Sequence, residues 1–179
     1  MIKFLDLYKQ DKNLHKVILK EINNLFKKGD FILGSKVKEF EQNFANFCGS
    51  KFAIGCANGT DALTLALKCL SLPKNSEVIL PAMTYCSTAF AVIEANLKPI
   101  LVDTDKLSPN ISIEDLKRKI NKKTKVILPV HLYGSVANLL EIKKIIKNKK
   151  IYLIDDCAQA HGAFDDSEKK LKKKIGSTT

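Results

Sequence analysis

Arginine is almost missing: of 30 basic residues only Arg118 carries a guanidinium, and the rest are lysine. The planar arginine fork is the usual reader of phosphates and base edges, so a lysine-only surplus is a weak sign of nucleic-acid binding. No apolar run approaches the ~18–20 residues needed to cross a bilayer, which argues against a membrane-spanning helix. Asp6, Lys9 and Asp11 interrupt the stretch that a secretion signal would keep greasy, so a cytoplasmic protein is expected. No GxxxxGKS or GxxxxGKT segment occurs, which excludes a P-loop. The cysteines at 48, 56, 69, 86 and 157 form no CxxC pair, so neither a zinc knuckle nor a dithiol redox motif is indicated. Their odd number predicts reduced, mostly buried thiols.

What is present suits an ordinary globular domain: 179 residues, 45% of them apolar. That composition is too rich in core formers for a disordered chain. The net charge is +11, of which +2 falls in residues 1–105 and +9 in residues 106–179. Lysines scattered on exposed helix faces account for the surplus, and no nucleic-acid partner is expected. The densest patch, EKKLKKK at 168–174, reads as a solvated loop or hairpin tip.

Hydrophobic spacing predicts an amphipathic helix over 14–28, with Leu14, Val17, Ile18, Ile22, Leu25 and Phe26 on one face and Gly29 as its stop. A second helix runs from about Ser35 to Gly49, carried by Val37, Phe40, Phe44 and Phe47. Short apolar runs follow at 52–56, 77–80, 99–102, 125–130 and 151–154. Helical stretches near 60–71, 86–95, 112–120 and 138–147 separate them. Runs that are apolar throughout and alternate with helices predict an α/β fold, a mostly parallel sheet covered by helices on both faces.

Ligands of such sheets bind beyond the carboxyl ends of the strands. Polar residues crowd there: Asn58-Gly59-Thr60-Asp61, Met83-Thr84-Tyr85, Asp103-Thr104-Asp105, His131-Leu132-Tyr133-Gly134 and Asp155-Asp156-Cys157-Ala158-Gln159. Asn58-Gly59-Thr60 opens a helix, so it serves either as a phosphate cradle or as a plain N-cap. Asp155-Asp156 ends a buried strand, where a carboxylate either pairs with a protonated pyridine nitrogen or caps a helix. Gln159 lies close enough in sequence to reach the same ligand. Tyr85 either stacks on a planar ring or fills the core. His131 and His161 read first as hydrogen-bonded structural residues. With Asp103 and Asp156 they lack a compact ligand spacing, so no metal is expected.

Taken in order, the segments 31–67, 77–105, VILPVHLYG at 126–134 and YLIDDCAQAHGA at 152–163 resemble the DegT/DnrJ/EryC1/StrS family of sugar aminotransferases. The resemblance implies a large domain of the aspartate-aminotransferase type and pyridoxal 5'-phosphate as cofactor. It implies Gly59 and Thr60 on the cofactor phosphate, Tyr85 stacked on the ring, Asp156 on the ring nitrogen and Gln159 at the 3-hydroxyl. It further implies amino transfer, from glutamate as donor, to a nucleotide-linked keto sugar, in a homodimer that serves surface glycan or polysaccharide synthesis.

One departure shapes the expectation. The family's Schiff-base lysine lies in an SFxxxKx-type segment downstream of a GDIG-like stretch, and here Ile175-Gly176-Ser177-Thr178-Thr179 stands where that stretch begins. Lys169, Lys170, Lys172, Lys173 and Lys174 sit in no matching context, so no catalytic residue is assigned. The expected organisation is a helical segment over 1–30 and an incomplete, truncated large domain over 31–179, without the small C-terminal domain. Such a chain is expected to be inactive alone. The alternative is a non-catalytic product that binds a full-length partner.

Overall fold

The alternating apolar runs pair as a parallel sheet. In a computed structural model, which describes residues 4–165 and 173–177, β1 (Glu77–Pro81), β2 (Lys98–Val102), β3 (Thr124–Ile127) and β4 (Tyr152–Leu153) form one sheet in the order β2-β1-β3-β4. Every pairing in it is parallel. Side chains of successive strand residues point to opposite faces, and here both faces are dry. Val78, Leu80, Val126 and Leu128 enter one core, with Leu67 of α4 (Gly59–Cys69) and Val92 of α5 (Cys86–Glu94). Ile79, Val102 and Ile127 enter the other, with Leu116 of α6 (Ile113–Lys119) and Leu139 and Ile142 of α7 (Leu139–Ile146). This is the expected α/β architecture with helices on both faces.

Before the sheet come a single turn, α1 (Leu7–Gln10), and two longer helices, α2 (Lys12–Lys28) and α3 (Ser35–Cys48). Both long helices stop where expected. Gly29 and Gly49 take the left-handed conformation, φ 66° and 76°, that lets their N–H groups close on the last turn's carbonyls. No residue of α2 is buried, so its apolar face is open. No helix among the described residues is long and apolar enough to cross a membrane. After β4 the chain closes with a short antiparallel pair, β5 (Phe164–Asp165) with β6 (Lys173–Lys174). Ile175, just past it, is buried in the second core. Most of the 168–174 lysine patch lies outside the described residues.

Two expectations fail. Residues 52–56 form no strand, and Phe52 and Ile54 are exposed. A β-run is defined by a neighbour's backbone, and among the described residues none pairs with this segment. The cysteines are free, as expected, but not mostly buried. Only Cys48 is buried and Cys157 half-buried, whereas Cys56, Cys69 and Cys86 are exposed. Cys56 falls in the unpaired segment, and the other two sit at helix ends.

Asp115 fastens the end of β2 to α6. Its carboxylate accepts from the Asp103 N–H at 2.8 Å, from Arg118 at 2.6 Å and from Lys119 at 3.0 Å. Those donors, the Asp103 N–H foremost, hold its carboxyl down at about 2 although burial works the other way. A carboxyl depressed on folding stabilises above its unfolded value, near 3.8, and loses that contribution as pH falls through its folded value. Asp115→Asn therefore lowers Tm by several degrees at pH 6, and the gap between variant and wild type narrows as the pH is taken from ~4 to ~2. Thermal melts across that range check it; a gap independent of pH refutes it. In the centre of the sheet, Ile127→Ala is expected to cost about 2–5 kcal/mol by urea unfolding.

Candidate functional site

Beyond the strand ends the parallel pairing continues for one more rung. Asp156 donates its N–H to the Pro129 carbonyl at 2.9 Å and accepts from the His131 N–H at 3.1 Å. This bridge between Val130 and Asp156 sets the main chain of Asp156 beside the end of β3. On the other side, the loop after β1 leads through Tyr85 into the first turn of α5. The N-terminus of α4 closes a third side. Gly59, Thr60, Tyr85, Asp156 and Gln159 all line this one cleft, of about 270 Å³, and Thr88 joins them.

Each wall has a chemical character. Asn58 caps α4, its side-chain oxygen accepting from the Asp61 N–H at 2.9 Å. Helix geometry gives the N–H groups of Gly59 and Thr60 no partner inside the helix, and the dipole makes that end attractive to an anion. Cap and cradle are thus compatible. A Cβ on Gly59 would meet nothing within 4 Å, so the surface there is open to a ligand. Tyr85 is 70% exposed and fills no core; its ring is available to a planar ligand.

Asp156 accepts from the Ala158 N–H at one oxygen, 3.1 Å, and from the Thr88 hydroxyl at the other, 3.2 Å. Gln159 is oriented by a backbone donor. The Tyr133 N–H points to its Oε1 at 2.8 Å, and because only the amide oxygen accepts, the NH₂ is the free end. Tyr133 holds this pose in the left-handed region, φ 56° and ψ 24°, a conformation that non-glycine residues seldom keep without a tertiary reason.

The other candidates do not join the cleft. His131 is fully buried beneath it, its Nδ1 accepting from the Ala137 N–H at 3.0 Å. The imidazole proton is thereby assigned to Nε2, which faces Asp155 Oδ2 at 3.9 Å. His161 packs edge-on against Phe44, ring centroids 5.6 Å apart. Asp103 lines a separate hollow beside Asp115. The ligand-capable atoms of His131, Asp155 and Cys157 do fall within 4.8 Å of one another. Burial, with the Asp155 and Asp156 charges beside it, pushes the Cys157 thiol up to about 12. With Nδ1 engaged by the Ala137 N–H, the remaining imidazole nitrogen bears the ring proton and offers the trio no lone pair.

Sequence reading placed Thr84 beyond a strand end without giving it a role, and missed Thr88. Its place in the first turn of α5, three residues after Tyr85, carries no signal that separates it from a packing residue.

An open helix N-terminus, an exposed aromatic face, a buttressed carboxylate and a free amide NH₂ suit a planar ligand with an anionic end and a cationic ring atom. The family model for DegT/DnrJ/EryC1/StrS aminotransferases matches residues 12–179. A dTDP-3-amino-3,6-dideoxy-alpha-D-galactopyranose transaminase of Aneurinibacillus thermoaerophilus is 39% identical over 99% of this chain and 47% of its own length. The chain thus spans about half the length of the curated relatives it matches. Among solved structures, S. venezuelae DesV in complex with a ketimine intermediate superposes with a TM-score of 0.91 at 31% identity, over 98% of this chain and 46% of that one. E. coli GDP-4-keto-6-deoxy-D-mannose-3-dehydratase with bound hydrated PLP gives 0.72 at 35% identity, over 77% and 37%. With the family model covering nearly all of its length, the chain belongs to the DegT/DnrJ/EryC1/StrS aminotransferase family.

Proposed function

We propose that the protein transfers an amino group, drawn from glutamate, to a nucleotide-linked keto sugar destined for surface glycan or polysaccharide, using pyridoxal 5'-phosphate held in this cleft. The observation that carries the reading is the convergence of Gly59, Thr60, Tyr85, Asp156 and Gln159, from three separate stretches of sequence, on one cavity. The donor set fits the cofactor. When bound, pyridoxal phosphate supplies an electron sink for the carbon that exchanges its amine.

The chain's own residues do the rest. The N–H groups of Gly59 and Thr60, with the positive end of α4, hold the phosphate. Tyr85 lies against the ring. Asp156 keeps the proton on the ring nitrogen, without which the ring withdraws electrons poorly. The NH₂ of Gln159 donates to the 3-oxygen. Asp155, turned to His131, has a structural part. None of the lysines present matches the family's lysine segment, so the amine that moves the substrate proton comes from outside these 179 residues. We divide the chain into a helical segment, 1–30, and the cofactor-binding unit, 31–179, and place the protein in the cytoplasm.

A second reading has its own observation. The open apolar face of α2 and the exposed Phe52 and Ile54 support a homodimer of the whole enzyme. They equally support a non-catalytic chain that pairs with a full-length partner.

In the enzyme that includes the lysine segment, Asp156→Asn is expected to lower turnover about 100-fold or more with an unchanged circular dichroism spectrum. Turnover within a few-fold of wild type would refute the assignment. The 179-residue chain alone, given cofactor, glutamate and a dTDP-linked keto sugar, is expected to yield no amino sugar by mass spectrometry, whereas product would show that a lysine among these residues suffices.

A further inference from the structure

Thr88 is out of character in α5. The helix is otherwise mostly small and apolar on its inner side, yet Thr88 is fully buried and brings a hydroxyl with it. A buried helical threonine commonly returns its hydroxyl to the carbonyl four residues back. Here the hydroxyl spans 68 positions of sequence to Asp156 Oδ2, at 3.2 Å. Its oxygen also lies 2.9 Å from the Thr84 hydroxyl.

The direction of both bonds follows from elementary accounting. An ionised carboxylate only accepts, so Thr88 donates to Asp156. Having spent its one proton, Thr88 accepts from Thr84. The chain therefore runs from Thr84 to Thr88 to Asp156. The second carboxylate oxygen is taken by the Ala158 N–H, from the loop after β4. Two donors on two different elements fix the rotation of a planar group in a way that one donor does not.

We propose that Thr88, backed by Thr84, is a positioning residue: it sets the plane of the Asp156 carboxylate so that the acid meets the protonated ring nitrogen of the cofactor. The proposal rests on the cofactor reading above. No proton moves along the chain; its effect is orientation, and it acts on one atom of the ligand only. That restriction separates it from a role in packing.

The test is binding of two ligands by equilibrium dialysis to the 179-residue chain: pyridoxal 5'-phosphate and its 1-deaza analogue, in which CH replaces the ring nitrogen. Thr88→Val keeps the shape and removes the hydroxyl; Thr88→Ser keeps the hydroxyl. Wild type is expected to favour pyridoxal phosphate over the analogue. Thr88→Val should lose about tenfold on pyridoxal phosphate and little on the analogue, with Thr88→Ser close to wild type. An equal loss on both ligands, or none, overturns the positioning role while leaving the cofactor reading intact. A wild type that binds neither ligand overturns that reading and the proposal with it. Should Thr88→Val fail to fold, Thr84→Val breaks the chain one link further out, and the same nitrogen-dependent loss, or its absence, decides.

Discussion

The site depends on one rung of backbone pairing beyond the end of the sheet. β3 makes its last bond toward β1 at Leu128, whose N–H reaches the Ile79 carbonyl at 2.8 Å. The Pro129 carbonyl still accepts from Asp156 on the other side. The sheet therefore keeps its grip on the loop after β4 while releasing the loop after β1. The helices complete the separation. The helix after β1, α5, packs in the core that holds Leu67 and Val92; the helices after β2 and β3 pack in the opposite core. With β1 and β3 adjacent, their outgoing loops part to opposite faces, which is where open α/β sheets form ligand crevices.

How far this was legible in the sequence differs between fold and site. The strands 77–80 and 99–102 and the six longer helices were readable because each carries its own pattern, an apolar run or a stripe at helical spacing; the single turn α1 carries none. The run at 52–56 is short and apolar as 78–80 is, but a strand exists only if a neighbour pairs with it, and pairing is not written locally. Tyr85, Asp156 and Gln159 were readable because polar groups soon after buried strands have few other places to go, and Gly59 and Thr60 because Asn58-Gly59-Thr60 reads as a helix start. Thr88 was not. A threonine inside an apolar helix has a mundane use in its own turn, and only the fold shows its hydroxyl spent on Asp156.

Charge is arranged apart from this chemistry. Lys122, Lys125, Lys149 and Lys150 gather around a hollow near the amino ends of β3 and β4, the end of the sheet remote from the cleft. Lys149 there serves the chain itself, donating to the Ile145 carbonyl at 2.6 Å, and elsewhere Lys119 donates to that of Leu101 at 2.7 Å. These lysines of the described residues sit at helix and strand ends. Among the described residues that line the cleft none is a lysine or arginine, and the feature there that favours an anion is the dipole of α4.

Within these 179 residues the cleft is open, and that bears on what its own residues supply. Tyr85 is mostly exposed, the space over Gly59 is clear and Asp156 is only half-buried. In such a place water screens a carboxylate–cation pair to a small fraction of its strength in a dry interior. Burial cannot then be the main source of Asp156's advantage over any surface acid. Geometry can: a carboxylate held by the main chain through Pro129 and His131, and by its oxygens through Ala158 and Thr88, loses little freedom when it meets a ring nitrogen. Pre-organisation lowers the cost of binding even where the dielectric is high. Within this chain the sheet and the hydroxyl chain hold the acid in one orientation before any ligand arrives.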